Sequence, residues 1–437
     1  MKLPSVREIA GEARHALLST HHWRARVVLW AAGAAIGAAA VGFAWLADTA
    51  QGLLRRLLGT SGWWWPWLLA PAGFCLIAWL TRRFFKGAEG SGIPQTIYAQ
   101  QAEADEGTSR LLQPHVALGR MLLAAAGLLC GGSIGREGPT VHVGAVIAHA
   151  CGRWMPHGRS AAQRRVLILA GGAAGVAAAF NTPLAGIVFA VEELSRSFEE
   201  RASGAVLTAV ILAGVIAIAL VGDYTYFGHP VVARIPGALS PGVVGVAIAT
   251  GLAGGLFSRL TLVAVAGLPG VFGRLQRGRP VLFAAACGLL VAAVGTACGG
   301  LTYGTGYTEA RSILTGGVHL PWYYGPARAL ATLGTYLSGM PAGLLAPSLS
   351  VGAGLGQLAA DVGGYPSAAP SAIIGMCGYL AGATQAPLTS FVIVMEMTMQ
   401  HAMLLPLMIT AALATTVSKL LSPPLYQTLA RRYAALP

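Results

Sequence analysis

The sequence predicts an all-α polytopic membrane protein, folded as two structural repeats with broken helices. Three observations carry this: scarcity of charge, apolar runs of bilayer or half-bilayer length, and Gly/Pro-framed interruptions that recur in both halves. Of 437 residues, 55% are hydrophobic and only 10% charged, against about 25% charged in a soluble domain. So little polar surface cannot cover a folded chain in water, and lipid is the expected solvent.

Residues 1–26 are mixed and polar, and read as a cytoplasmic N-terminal segment rather than a cleaved signal peptide. Residues 27–46 form the first apolar run, close to the ~20 residues a ~30 Å hydrocarbon core needs. A second run, 63–80, opens with Trp63, Trp64, Trp65 and Trp67, as at a membrane interface. The basic stretch after it, with Arg82, Arg83 and Lys86, is expected on the cytoplasmic side. Two crossings then return the chain to the side on which it began.

Beyond this point the apolar runs shorten. They break around residues 92–94, 135–139, 181–183, 339–347 and 385–387, in a chain with 59 Gly and 24 Pro. Half-length helices at bilayer depth are tolerated where their freed backbone groups line a cavity or are buried in protein. Interruptions paired between the halves point to a transporter's binding site. Gly135 to Pro139 and Gly343 to Pro347 share a Gly-x-x-x-Pro frame, each before an apolar helix expected from Val141 and Ser348. The expected organisation is a transmembrane domain over 27–424, with repeats at 27–222 and 240–424, and a short cytoplasmic tail at 425–437. Gly171, Gly172, Gly175, Gly251, Gly254 and Gly255 have the small-residue spacing of close helix packing.

A net charge of +13 could indicate nucleic acid, but the basic residues flank apolar segments and no basic helix with interleaved aromatics occurs. The six cysteines lack CxxC spacing and read as packing residues, neither a disulfide framework nor a metal site. No cofactor is expected.

The chemistry lies in four stretches. In Gly131 to Pro139, the pair Arg136-Glu137 lies within apolar sequence, where charge is costly. Its plain reading is a packing ion pair. Gly135, Gly138 and Pro139, however, set a helix N-terminus beside Glu137, and such an end attracts anions. A carboxylate there can occupy an anion site and leave on protonation, which is a gate. In Glu89 to Pro94, Pro94 suits a first helical turn and Ser91 a cap; the Ser91 hydroxyl can also donate to an anion without adding charge. Gly343 to Pro347 is a third helix start offering backbone N–H groups. At Pro423-Pro-Leu-Tyr426 a phenol could donate, although a lone tyrosine is more often interfacial.

At these residues the sequence resembles the CLC chloride channel and transporter family. Gly90 to Pro94 matches its GSGIP motif, Gly135 to Pro139 its GREGP motif, and Gly343 to Pro347 is similar to GxFxP. Phe180 to Gly186 through Glu192-Glu193, and Met395 to Thr398, resemble further family segments in the same order. The resemblance implies a homodimer in the bilayer that moves chloride and protons, with a separate anion pathway in each subunit and each subunit folded as two inverted-topology repeats of tilted and broken helices. It implies anion contacts from the Ser91 hydroxyl, the Tyr426 phenol and backbone near Gly90, Leu344, Leu345, Arg136 and Gly138. Glu137 matches the external gating glutamate, and Glu193 the internal glutamate of proton movement. Serine at position 91 goes with chloride, where proline favours nitrate and fluoride exporters differ. The family phenylalanine of GxFxP is Leu345 here, which bears on the width of the outer pathway.

The expected function is chloride/proton antiport in a bacterial inner membrane, with cytoplasmic termini and no enzymatic activity. A passive chloride channel of the same fold is the alternative, against which the acid at Glu193 speaks. Gly131-Gly-Ser-Ile-Gly135 also fits a nucleophile-elbow pattern, so an intramembrane hydrolase is a remote reading; that elbow requires a preceding strand. A cation transporter, which Glu137, Glu193 and Glu396 would suit, conflicts with three helix N-termini. His142 and His149 read as packing or polar lining.

Overall fold

A computed structural model describes residues 20–61, 64–102, 110–155, 160–195, 204–222, 225–228, 230, 232, 237–364 and 367–433. Among them the secondary structure is helical. Helix α1 spans Thr20–Ser61, α2 Trp65–Phe84, α3 Ile93–Gln101, α4 Pro114–Leu129, α5 Glu137–Cys151, α6 Ala161–Phe180, α7 Pro183–Phe189 and α8 Gly204–Val221. The second half continues with α9 Pro241–Ala266, α10 Gly270–Gly278, α11 Pro280–Ala297, α12 Tyr307–Thr315, α13 Tyr324–Leu337, α14 Leu345–Gly363, α15 Ala369–Thr384, α16 Pro387–Thr398, α17 Leu404–Lys419 and α18 Leu425–Tyr433. Among the described residues, five helical stretches are long and apolar enough to cross a membrane: Trp23–Gly59, Gly204–Val221, Pro241–Ala266, Pro280–Ala297 and His401–Lys419.

Several boundaries differ from expectation. The first apolar run is the middle of a 42-residue helix, because the polar residues on both sides favour helix as well. Residues 20–26, read as part of the N-terminal segment, belong to α1, while 1–19 and Trp63 lie outside the described residues. Helices α5 and α14 begin at Glu137 and Leu345, earlier than Val141 and Ser348, since the frame prolines fall within their first turns, where a missing N–H costs nothing. The apolar helix that the sequence suggests over residues 183–194 is α-helical only to Phe189 and widens to a π-helix over Ala190–Ser195, which bears Glu193. The segment read as a tail forms α18, with Leu425, Tyr426, Leu429 and Ala430 buried.

From α3 to α8 and from α12 to α17 the same elements recur. Helices α3 and α12 are both nine residues long and both follow a left-handed glycine, Gly92 and Gly306. Contacts between the halves return with the halves exchanged. Gly90 N–H donates to Met340 O at 3.1 Å, and Gly304 N–H to Gly132 O at 3.2 Å. Gly135 and Gly343 form an antiparallel bridge. Within each half one helix crossing lacks side chains at its centre: a Cβ on Gly144 or Gly171 (α5 on α6), or on Gly352 or Gly375 (α14 on α15), would overlap the other's carbonyl oxygen. This is the arrangement an approximate two-fold axis produces.

Candidate anion site

Glycines bring the sequence motifs to one point. Gly90 and Gly92 have φ of 68° and 95°, a left-handed conformation that glycine enters without steric cost. A Cβ on Gly92 would stand 2.8 Å from Gly138 O, and one on Gly138 would stand 2.5 Å from Ser91 O and 3.3 Å from Gly343 Cα. The Ser91 loop, the start of α5 and the segment leading into α14 therefore touch.

Ser91 is fully buried. Gly92 takes the cap position of α3, and the Ser91 hydroxyl oxygen accepts the Ile93 N–H at 3.3 Å. Its own proton stays available for an acceptor. Behind this loop lies Arg120 of α4, itself fully buried. It donates from Nη1 to Gly90 O at 3.0 Å and from Nη2 to Gly87 O at 2.7 Å, and forms no ion pair among the described residues. The sequence reading passed over Arg120, although an ionisable residue in an apolar run is itself a signal.

Glu137 opens α5 and is fully buried. One carboxylate oxygen accepts the Ala346 N–H of α14 at 3.3 Å, and the other accepts the Tyr226 O–H at 3.5 Å. The carboxylate thus lies against the N-terminus of a second helix, where N–H groups and the helix dipole favour negative charge. Leu344 and Leu345, each 2% exposed, belong to the same helix start, but the amide bonded to Glu137 is the next one. The Arg136 side chain pairs with Asp48 at 3.5 Å and lies over the Tyr226 ring at 5.3 Å. Tyr226, between the expected repeats, was also missed; its signal was the aromatic pair Tyr226-Phe227.

Tyr426 lies in the first turn of α18, which follows two prolines, and its phenol is buried without a hydrogen-bond partner among the described residues. Burying a hydroxyl unpaired costs roughly 1–3 kcal/mol, so an anion accepting from it would relieve that penalty. Both Glu137 and Glu193 lie within electrostatic reach of this phenol. Glu193 is 1% exposed on the π-helix, and its backbone carbonyl accepts from the Gln427 side chain at 2.8 Å. A cavity of about 490 Å³ abuts the Ser91 loop, lined by Gly90, Pro94, Tyr336, Arg82, Glu89 and Arg432. The basic stretches at Arg82 and Arg432 thus share one face.

His142 is fully buried on α5, and His149 is intermediate. Ser133, the serine of the elbow pattern, follows a helix rather than a strand, and its hydroxyl pairs with that of Thr332 at 2.7 Å.

Fold and site together define an integral membrane protein with a buried carboxylate lodged at a helix start. The family profile described as "Voltage gated chloride channel" matches residues 72–419, and the chain belongs to that family, the CLC family. It is 34% identical over 395 residues to the "H(+)/Cl(-) exchange transporter ClcA" of Cronobacter sakazakii, covering 85% of this chain and 81% of the relative. It is 30% identical to a "Putative chloride channel protein ClcB-like" of Ralstonia nicotianae, with 84% and 85% covered. The crystal structure of a slow cyanobacterial Cl⁻/H⁺ antiporter aligns with a TM-score of 0.79 at 25% identity, covering 94% of this chain and 98% of that one. A CLC-type fluoride/proton antiporter aligns with a TM-score of 0.74 at 21% identity over 94% and 98%, a likeness of fold.

Proposed function

We infer that this integral membrane protein is a chloride/proton antiporter gated by Glu137. One observation carries the reading: the Glu137 carboxylate accepts an N–H at the start of α14, so a side chain occupies ground suited to an anion. Chloride reaching that ground competes with the ionised carboxylate. A proton on Glu137 removes the charge that holds it there, and the side chain leaves carrying the proton. Each exchange of carboxylate for anion therefore couples the two ions.

Deeper in, the Ser91 hydroxyl and the Tyr426 phenol are the proposed donors, with backbone near Gly90, Arg136, Gly138, Leu344 and Leu345. Neutral donors bind a partly dehydrated anion and still release it. Protons need titratable groups instead, and Glu193 is assigned the inner one. Two such subunits are proposed to assemble as a homodimer in a bacterial inner membrane, with both termini cytoplasmic and no enzymatic step.

The test is reconstitution into liposomes with chloride and proton fluxes recorded together. An outward chloride gradient should drive proton uptake. Chloride flux with no proton movement would replace the antiporter with a passive channel.

A further inference from the structure

The loop that carries Ser91 has a counterpart in the other half. Gly304-Thr305-Gly306 precedes α12 as Gly90-Ser91-Gly92 precedes α3, with φ of 78° and 79° at its two glycines. The Thr305 hydroxyl oxygen accepts the Tyr307 N–H at 3.3 Å, as Ser91 accepts that of Ile93 at 3.3 Å. Arg328, fully buried, donates to Tyr303 O at 3.1 Å and Gly304 O at 2.6 Å, the role of Arg120 in the first half. Neither guanidinium forms an ion pair among the described residues, so each loop is backed by a buried positive charge, with Glu89 in electrostatic reach of Arg120.

The two loops differ in what they face. Gln51 of α1, only 9% exposed, directs its carboxamide oxygen at the second loop. That oxygen accepts the Thr305 N–H at 3.0 Å and meets the Thr305 hydroxyl at 3.4 Å. The relay of N–H to hydroxyl to acceptor, which at Ser91 is open to an anion, here ends on a side chain. Next to it Thr302 is fully buried, and its hydroxyl has no partner among the described residues. A cavity of about 240 Å³, lined by Gln51, Arg55, Tyr303, Gly304 and Glu309, gives access to the same place.

We propose that the second half retains a latent binding site for a small monovalent anion at Gly304–Gly306, which Gln51 keeps filled as a tethered ligand. The carboxamide oxygen supplies the partial negative charge that the loop's donors and Arg328 require, and it cannot leave. Leu345 holds the place that Glu137 has in the first half, so an anion admitted here would meet no counterpart of that gate, and the titratable carboxylate at the cavity is Glu309. The proposal takes the Ser91 loop of the preceding section as its template.

The experiment is bromide soaking of crystals of the full chain, located by anomalous diffraction, with calorimetric counting of bromide in detergent. In Gln51→Ala a bromide peak should appear beside the Thr305 hydroxyl, with one more bromide bound per chain than in wild type. Gln51→Glu, which puts a full charge in the loop, should show no peak there. Gln51→Ser serves if the alanine variant does not fold, and the same peak is expected. Bromide at Ser91 but not at Thr305 in Gln51→Ala would overturn the latent site alone. Bromide at neither would fault the Ser91 template as well. Bromide at Thr305 in wild type would overturn the tethered-ligand role of Gln51.

Discussion

Glu192 and Glu396 cap one another's helices. Glu192 accepts the N–H groups of Leu388 and Thr389, at 3.0 and 2.6 Å, from the first turn of α16. Glu396, on α16, accepts those of Leu184 and Ala185, at 3.2 and 2.6 Å, from the first turn of α7. Each carboxylate satisfies two donors that a helix start leaves open, and each favours the positive end of a dipole. Both glutamates stand at the same distance beyond a Pro-Leu pair, Pro183-Leu184 and Pro387-Leu388. Adjacent glutamates therefore differ: Glu192 is committed to the other half, and Glu193 turns inward beside α18.

That division gives the first expected outcome. Glu193→Gln should abolish proton transport and leave chloride flux and binding largely intact. Glu192→Gln should keep proton coupling but lower the midpoint of thermal unfolding in detergent, since losing a charged cap costs about 0.5–2 kcal/mol. Proton uptake persisting in Glu193→Gln under a chloride gradient would remove Glu193 from the relay.

Glu137→Gln keeps the shape of the protonated side chain, and Glu137→Ala removes the side chain. Both should pass chloride with neither pH dependence nor proton coupling, recorded as paired fluxes in liposomes. Uphill proton pumping by either variant would show that the gate lies elsewhere.

Ser91→Pro removes one donor from the anion and should lower the preference for chloride over nitrate. A donor is worth roughly 1–3 kcal/mol, which corresponds to a selectivity change of about fivefold to a hundredfold. An unchanged chloride-to-nitrate flux ratio would refute the contact.

Tyr226→Phe deletes the O–H that Glu137 accepts and keeps the ring beneath Arg136. The carboxylate should then release more readily, raising chloride turnover about fivefold for a bond of roughly 1 kcal/mol. The ratio of chloride to protons should stay the same, because the titratable groups remain. Turnover equal to wild type would make Tyr226 a packing residue.

Much of the site could be read directly from the chain, because Gly-x-x-x-Pro frames and a charge pair in apolar sequence are local signals. Ser91, Glu137 and Gly343 needed no tertiary information to be singled out. Tyr226 did, because its role comes from a loop folding back across α5. Arg120 bonds to carbonyls of another segment, and no sequence spacing reports that. The packing of α18 is not legible in the chain, since nine residues with three arginine or tyrosine heads at the end resemble a solvated terminus. Its buried face exists only because α3 is there to receive it.

The exchange of contacts across the two-fold axis also governs how the chain acquires its structure. Gly90 waits for Met340, Gly304 for Gly132, and α7 for a cap that is more than two hundred residues away. Each half leaves some of its backbone hydrogen bonds to be closed by the other. Such long-range closure makes for slow, cooperative assembly. It also means that a chain cut between α8 and α9 should yield two fragments that are stable only together.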